Sequence, residues 1–338
     1  MPEETGGGAM PGGVVLLSGG LGGAFLAPAL ARRLGPGRLT VVVNVGDDID
    51  WHGLRVCPDL DTVLYALAGR FDHDRGWGLA DDTFAVASSL TALGGDGRFQ
   101  VGDQDLATHL LRTQRLRVGH SLTEVATELA CRLGIGGAAV LPAADQPNQT
   151  RVVLADGRRV GFQDWYVGSQ ARPRLRAVEL AAGPPALAAL AALAAADAVI
   201  VGPSNPVTSI GAILALAGLR AAVKAVPTRI AVSPVVCCQS PTSPVLRHHA
   251  RARRRVLATV GSADTPEGAA ACYAGVARSF VLDRRDTRYL EAVERLAMAP
   301  VLADALDAER LADVLVERLE APKDPAPPLR SAPPLPAF

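Results

Sequence analysis

Five aspartates crowd one short stretch of this chain. Asp47, Asp48 and Asp50 lie in Asn44-Val45-Gly46-Asp47-Asp48-Ile49-Asp50-Trp51-His52-Gly53, and Asp59 and Asp61 in Cys57-Pro58-Asp59-Leu60-Asp61-Thr62. They begin directly after the apolar run Leu39 to Val43, which reads as a strand buried on both faces. In open α/β sheets, ligands bind in the crevice beyond the carboxyl ends of the strands. Carboxylates gathered there repel one another unless a cation intervenes, and a hard divalent ion carrying phosphate ligands is the usual one. The alternative is a polar loop with two turn signals, Gly46-Asp47-Asp48 and Pro58-Asp59.

A second constellation precedes it. The strand Val14 to Leu17 runs into Ser18-Gly19-Gly20-Leu21-Gly22-Gly23-Ala24 and then a helical stretch from Phe25 to Leu34. Strand, glycine turn and helix N-terminus together form a phosphate cradle. The strict dinucleotide fingerprint fails, because Phe25 holds the third glycine position and the second strand ends in Asn44. No Gly-Lys-Ser/Thr follows, so the turn is not a Walker loop. A third constellation is Gly202-Pro203-Ser204-Asn205-Pro206 with Thr208 and Ser209, after the strand Ala198 to Val201. Its other reading is a rigid loop capping a helix at Ser209. The fourth is Gly102-Asp103-Gln104-Asp105-Leu106-Ala107-Thr108-His109, where Asp105 and His109 share a helix face, or serve only as a cap and a core histidine.

The elements that would position these groups alternate between strand and helix. Asp59 to Ala68 reads as a helix with Pro58 at its start. Leu106 to Leu116 and Leu122 to Leu133 have helical spacing, within a helical insertion at about 75–135. Arg151–Leu154 and Arg159–Phe162 flank Asp156-Gly157 as a hairpin, and Ile230 to Val232 is another strand. The pattern predicts an α/β fold, a Rossmann-like, mostly parallel sheet with a smaller helical cap. Residues 13–320 are expected to form a single domain, between a Gly-rich tail at 1–12 and a Pro-rich tail at 321–338.

Composition bounds the partners. The chain has 338 residues, 49% hydrophobic and 20% charged, with a formal net charge of +0. Neither nucleic acid nor a membrane surface is expected from a zero balance. Lysine stands only at Lys224 and Lys323, so phosphate contacts would be guanidinium forks. Cys57, Cys131, Cys237, Cys238 and Cys272 lack metal-ligand spacing, and their odd number fits a reduced cytoplasm.

Seven motifs in one order carry a resemblance: Gly19-Gly20-x-Gly22-Gly23; Val43-Asn44-x-Gly46-Asp47-Asp48; Pro58-Asp59-Leu60-Asp61-Thr62-Val63; Arg75-Gly76-Trp77-Gly78; Gly102-Asp103-x-Asp105-Leu106-Ala107-Thr108-His109; Phe162-Gln163-Asp164; and Gly202-Pro203-Ser204-Asn205-Pro206-x-x-Ser209-Ile210. Over about residues 14 to 320 the chain resembles the 2-phospho-L-lactate transferase family of deazaflavin coenzyme (factor 420) biosynthesis. The resemblance implies transfer of a phospholactyl, phosphoenolpyruvyl or phosphoglyceryl group from a guanosine-diphosphate-activated donor. By the same resemblance the acceptor would be the ribityl hydroxyl of the deazaflavin Fo, with GMP released. It also implies a magnesium requirement (Mg2+) and a homodimer. Asp47 and Asp61 would hold the ion and serve catalysis. Gly19, Gly20, Gly22, Gly23, Asn44, Asp48, Asp59, Thr62, Gln100, Asp103, Asp105, His109, Ser204, Asn205 and Ser209 would bind substrates, with Asp61 and Gln100 on the deazaflavin side.

The chain departs from the family pattern at polar positions. Gln104 stands for an arginine, Phe25 for a lysine or arginine, and Arg151 for a histidine after Thr150. A glycine-rich loop after Ser233-Pro234 is replaced by Cys237-Cys238-Gln239-Ser240-Pro241-Thr242-Ser243-Pro244 and a basic run from Arg247 to Arg255. Arg151 and Arg251 to Arg255 are the residues available to restore charge, unless the run is a solvated helix face. The competing reading is a diverged paralogue that binds nucleotide or deazaflavin without catalysis, or serves another acceptor. A nicotinamide oxidoreductase ranks last, given Phe25 and Asn44.

Overall fold

The centre of the sheet grows from short β-branched and leucine runs whose side chains are buried on both faces, as a parallel sheet covered by helices requires. Its strands are β1 (Val14–Ser18), β2 (Leu39–Val43), β3 (Ala138–Pro142), β4 (Ala198–Val201), β5 (Thr228–Val232), β6 (Ser279–Asp283) and β7 (Ala299–Ala303). The computed structural model describes residues 13–237, 241 and 243–320. The expected tails at 1–12 and 321–338 lie outside the described residues. From edge to edge the order is β7-β6-β5-β4-β1-β2-β3, every neighbouring pair parallel. The protein is therefore an α/β fold with a seven-stranded parallel sheet. Strand order reverses at β1, which lies between β2 and β4, so the ligand crevice of such sheets falls beyond Ser18, Val43 and Val201.

The helices that matter are α1 (Gly20–Leu34), α2 (Pro58–Leu67), α3 (Ala85–Ala92), α4 (Asp103–Arg117), α5 (Leu122–Arg132) and α6 (Pro244–Thr259). The helix expected from Phe25 begins at Gly20 instead, so the glycine turn is itself the first turn of α1. The glycines are there for contact. A Cβ on Gly22 would meet Ser204 Oγ and lie 2.8 Å from the Pro203 carbonyl oxygen, and one on Gly23 would lie 2.5 Å from Val63. Close packing of α1 against α2 and the β4 loop thus outweighs glycine's poor helix propensity.

Within the expected helical insertion, α4 stands against a hairpin, Ile49–Trp51 with Leu54–Val56, while α5 packs on β3. The predicted hairpin Arg151–Leu154 and Arg159–Gly161 forms, and a third strand, Leu175–Glu179, joins it. The basic helix α6 lies on that third strand. Among the described residues no helix is long and apolar enough to cross a membrane.

Candidate functional site

A cavity of about 1410 Å³ opens at the strand-order reversal. Gly19, just after β1, and the first turns of α1 form part of its lining. The N–H of Gly19, the residue capping α1, donates to Ser204 Oγ at 3.0 Å, and Ser204 Oγ lies 3.3 Å from Ser18 Oγ. The Gly20 N–H donates to the Asp59 carboxylate. The amides of Leu21 and Gly22 have no acceptor within the helix by its geometry, and both residues line the cavity. The end of α1 is thus partly committed to protein groups and partly open at the cavity.

Above that end stand the carboxylates. Asn44 Nδ2 donates to both Asp47 Oδ1 and Asp59 Oδ2, at 2.9 Å each. Burial raises Asp47 well above its usual range, with Asp59 adding to the effect. Burial likewise pushes Asp59 up to about 6, against the opposing Asn44 and Gly20 hydrogen bonds. Two acids share one neutral amide, an arrangement that favours a hard cation with oxygen ligands.

Asp61 sits differently. Arg112, completely buried on α4, donates to both of its oxygens, one at 2.9 Å. Burial works against the guanidinium charge, but Asp61, with Cys57 and Tyr65 behind it, raises Arg112 above the ordinary value. The chain of contacts continues: His109 Nδ1 lies 3.6 Å from Asp61 and 3.3 Å from Arg112, His109 Nε2 is 3.4 Å from Asp105, and Tyr65 donates to Asp105 at 2.7 Å. Asp61, Asp105 and His109 could by spacing hold an ion. Arg112 already holds both oxygens of Asp61, so an ion bound there would compete with the guanidinium. The carboxylate sharing a partner with Asp47 is Asp59, while Asp61, expected to hold the ion with Asp47, is held by Arg112.

Other expected site residues divide. Thr62, Gln100, Ser204, Asn205 and Ser209 line the cavity, as do Asp47, Asp59, Asp61, Asp105 and His109. Asn205 also builds its own turn, accepting from the amides of Val207 and Thr208 at 3.0 and 3.2 Å. Four residues do not line it. Gly23 faces Val63 and Ser18, and Asn44 orients the two acids from behind. Asp48 binds Arg55 at 2.8 Å and accepts from Cys57 at 3.1 Å, fastening the 49–56 hairpin; burial raises it to about 6 despite Arg55. Asp103 takes the Thr83 hydroxyl and the amides of Ala85 and Val86, capping α3, which lowers its pKa.

Of another wall the sequence showed the motif Phe162-Gln163-Asp164 and the basic run, but not Tyr166 between them. Phe162 stacks on Tyr166 at 5.3 Å, Tyr166 pairs with His249 through its hydroxyl, and His248 covers the Tyr166 ring at 4.4 Å. Tyr166 lies in a π-helical turn, Asp164–Gly168, a form frequent at functional sites. The basic run is not simply a solvated face, since Arg247, Arg251 and Arg253 of α6 line the same cavity. Arg112 had one sequence signal: Asp105, His109 and Arg112 recur at i, i+4 and i+7, one face of a helix.

A parallel sheet with this strand order, a helix N-terminus at its reversal point and paired buried acids beside it defines a Rossmann-like α/β protein with a polar ligand crevice. A family model described as 2-phospho-L-lactate transferase CofD matches residues 14–321, and the chain belongs to that family of transferases. It is 39% identical over 296 residues to the phosphoenolpyruvate transferase of Kitasatospora aureofaciens, covering 85% of this chain and 89% of that one. With the phosphoenolpyruvate transferase of Mycobacterium tuberculosis it shares 41% over 246 residues, 66% of this chain and 74% of the other. Among solved structures, a UPF0052 family protein of Bacillus halodurans has the same fold at a TM-score of 0.55 and 16% identity, covering 91% of this chain and 98% of that one.

Proposed function

We propose that the protein transfers a phosphoenolpyruvyl group, or the related phospholactyl or phosphoglyceryl group, from a guanosine-diphosphate-activated donor to the terminal ribityl hydroxyl of Fo. GMP is released, in biosynthesis of the deazaflavin coenzyme. Relatives that are phosphoenolpyruvate transferases favour the first of the three groups. The observation that carries the reading is the Asp47–Asn44–Asp59 cluster set against the N-terminus of α1. Such a pairing suits a cation and a diphosphate together.

In this reaction the acceptor hydroxyl oxygen forms a bond to the phosphorus bearing the acid. The bond from that phosphorus to the bridging oxygen breaks, GMP leaves with the electron pair, and the hydroxyl proton passes to the departing phosphate or to solvent. Catalysis of this kind is mostly positioning and charge neutralisation. Asp47 and Asp59 would hold magnesium, which when bound supplies the charge that offsets the diphosphate. The amides of Leu21 and Gly22 offer phosphate oxygens two donors, and Ser209 adds a hydroxyl. Gln100 and Thr62 line the acceptor side. The buried Asp61–Arg112 pair keeps α2 and α4 in register, so that the Asp59 turn and the α4 wall hold their separation.

The test is incubation with Fo, magnesium and each of the three activated donors, with mass spectrometry for the phosphodiester and for GMP. Product from at least one donor is expected. Binding of Fo and GDP with no product from any donor would favour the non-catalytic paralogue. Failure to bind either would remove the reading.

A further inference from the structure

One wall of the cavity is rich in arginine: Arg172, Arg247, Arg251 and Arg253 all line it. Most arginines of the described chain have acidic partners, for instance Arg55 with Asp48, Arg98 with Asp96 and Arg253 with Asp264. Arg172 and Arg251, which both line the cavity, form no ion pair with a described carboxylate; Arg251 reaches only the Gln170 carbonyl oxygen, at 3.5 Å. Arg174 and Arg255 stand behind them. The crowding is felt by their neighbours: Arg255 is lowered by burial, then by Arg174 and Arg251, and His248 by burial, then by Arg251. Like charges gathered on one wall cost stability unless an anion joins them.

The backbone beside this cluster is also strained. Gln170 and Ala171 both have positive φ, 51° and 49°, in the left-handed region that non-glycine residues avoid. Two consecutive residues so placed persist only where their surroundings fix them, and such strain gathers at ligand sites. Here Ala171 is fully buried, and the turn delivers Arg172 to the cavity beside the Gln170–Arg251 contact. The cavity, of about 1410 Å³, is larger than the roughly 300–1,000 Å³ of ordinary small-molecule sites, and Arg172 and Arg251 both belong to its lining.

We propose that Arg172 and Arg251 form an oxyanion subsite that grips a carboxylate or phosphate of the bound substrate and so selects the donor. This rests on the transferase reading for the identity of the substrate, but not for the existence of the subsite. Guanidinium forks suit planar carboxylates and phosphates alike, so the source of the oxyanion is for the experiment to decide.

The experiment uses Arg172→Gln, Arg251→Gln and the double variant, with calorimetry of GDP and of the phosphoenolpyruvyl donor. Each single change is expected to weaken the sensitive ligand about 10-fold, as for loss of a charge-assisted hydrogen bond, with the melting temperature of the ligand-free protein not lowered, because both side chains are exposed and one like charge is removed. Weakening of the donor alone assigns a carboxylate; equal weakening of GDP assigns a phosphate; either outcome supports the subsite. Unchanged affinity for both in the double variant overturns it. Phenylglyoxal modification read by peptide mass spectrometry gives an independent measure. Phosphoenolpyruvate should protect Arg172 and Arg251 but not Arg174. Should wild type bind neither GDP nor donor, the transferase reading falls while this protection, present or absent, still decides the subsite.

Discussion

Replacing Asp61 by Asn separates an architectural carboxylate from a metal ligand. Arg112 has no exposed side-chain surface and Asp61 has 5%, so the substitution leaves a guanidinium in the interior without its counter-charge. Removing one member of a buried pair costs about 3–5 kcal/mol. The Asn carbonyl can still accept one hydrogen bond from Arg112, which favours the lower end. At about 2–4 °C per kcal/mol for domains approaching this size, Asp61→Asn should lower Tm by roughly 6–12 °C. The loss should be the same with EDTA or magnesium. Adding Arg112→Met should recover much of it, because the orphaned charge is then gone. Scanning fluorimetry of the single and double variants, with circular dichroism as a check on folding, measures both quantities. A Tm within a degree of wild type, coupled to lost metal binding, would refute the ion-pair assignment and return Asp61 to the cation.

Three other outcomes follow from the same geometry. Asp47→Asn and Asp59→Asn should each lower turnover by about 10² or more, the loss of a charge held against a developing phosphate charge, while raising the Tm of metal-free protein by relieving their mutual repulsion; a falling Tm would count against the pairing. Gly22→Ala should lower Tm as well as nucleotide affinity, since its Cβ would press on the Pro203 carbonyl at 2.8 Å; unaltered stability would mean that the β4 loop yields freely. His249 is lowered to about 3 by burial, then by His248 and Arg253. Between pH 6.5 and 3 the unfolded chain therefore binds a proton that the folded chain refuses, and stability is lost as pH falls through that window. His249→Gln should flatten the acid side of the Tm profile, and an unchanged slope would contradict the assignment.

The central strands were legible because Val14 to Leu17, Leu39 to Val43, Ala198 to Val201 and Ile230 to Val232 are apolar runs of strand length. The edge strand β3, Ala-Ala-Val-Leu-Pro, was not, since alanine carries little strand signal. β7 holds Pro300, a residue that argues against a strand except at an edge, which is where it lies. The site's residue types could be read from the Asp-rich and glycine-rich motifs, but not their partnerships. Whether Asp59 or Asp61 meets Asp47 depends on which face of α2 turns to the cavity and on Arg112, fifty-one positions further along. His248, His249 and Arg251 looked like a solvated charged run because only their contact with Tyr166 and Gln170 gives them a wall to belong to.

The hydrogen bond between Gly19 and Ser204 joins residues 185 positions apart. β1 pairs in parallel with β4 over a similar span. Non-local parallel pairing is slow, since loop closure must precede any reward from contact. During synthesis the first strand therefore waits with one edge open until more than half the chain has emerged. Such edges invite association with other chains. The ligand crevice cannot exist before β4 docks, so no amino-terminal fragment that ends before β4 should bind nucleotide. Yield in cells should then depend on translation speed and chaperone supply more than on the stability of the finished protein.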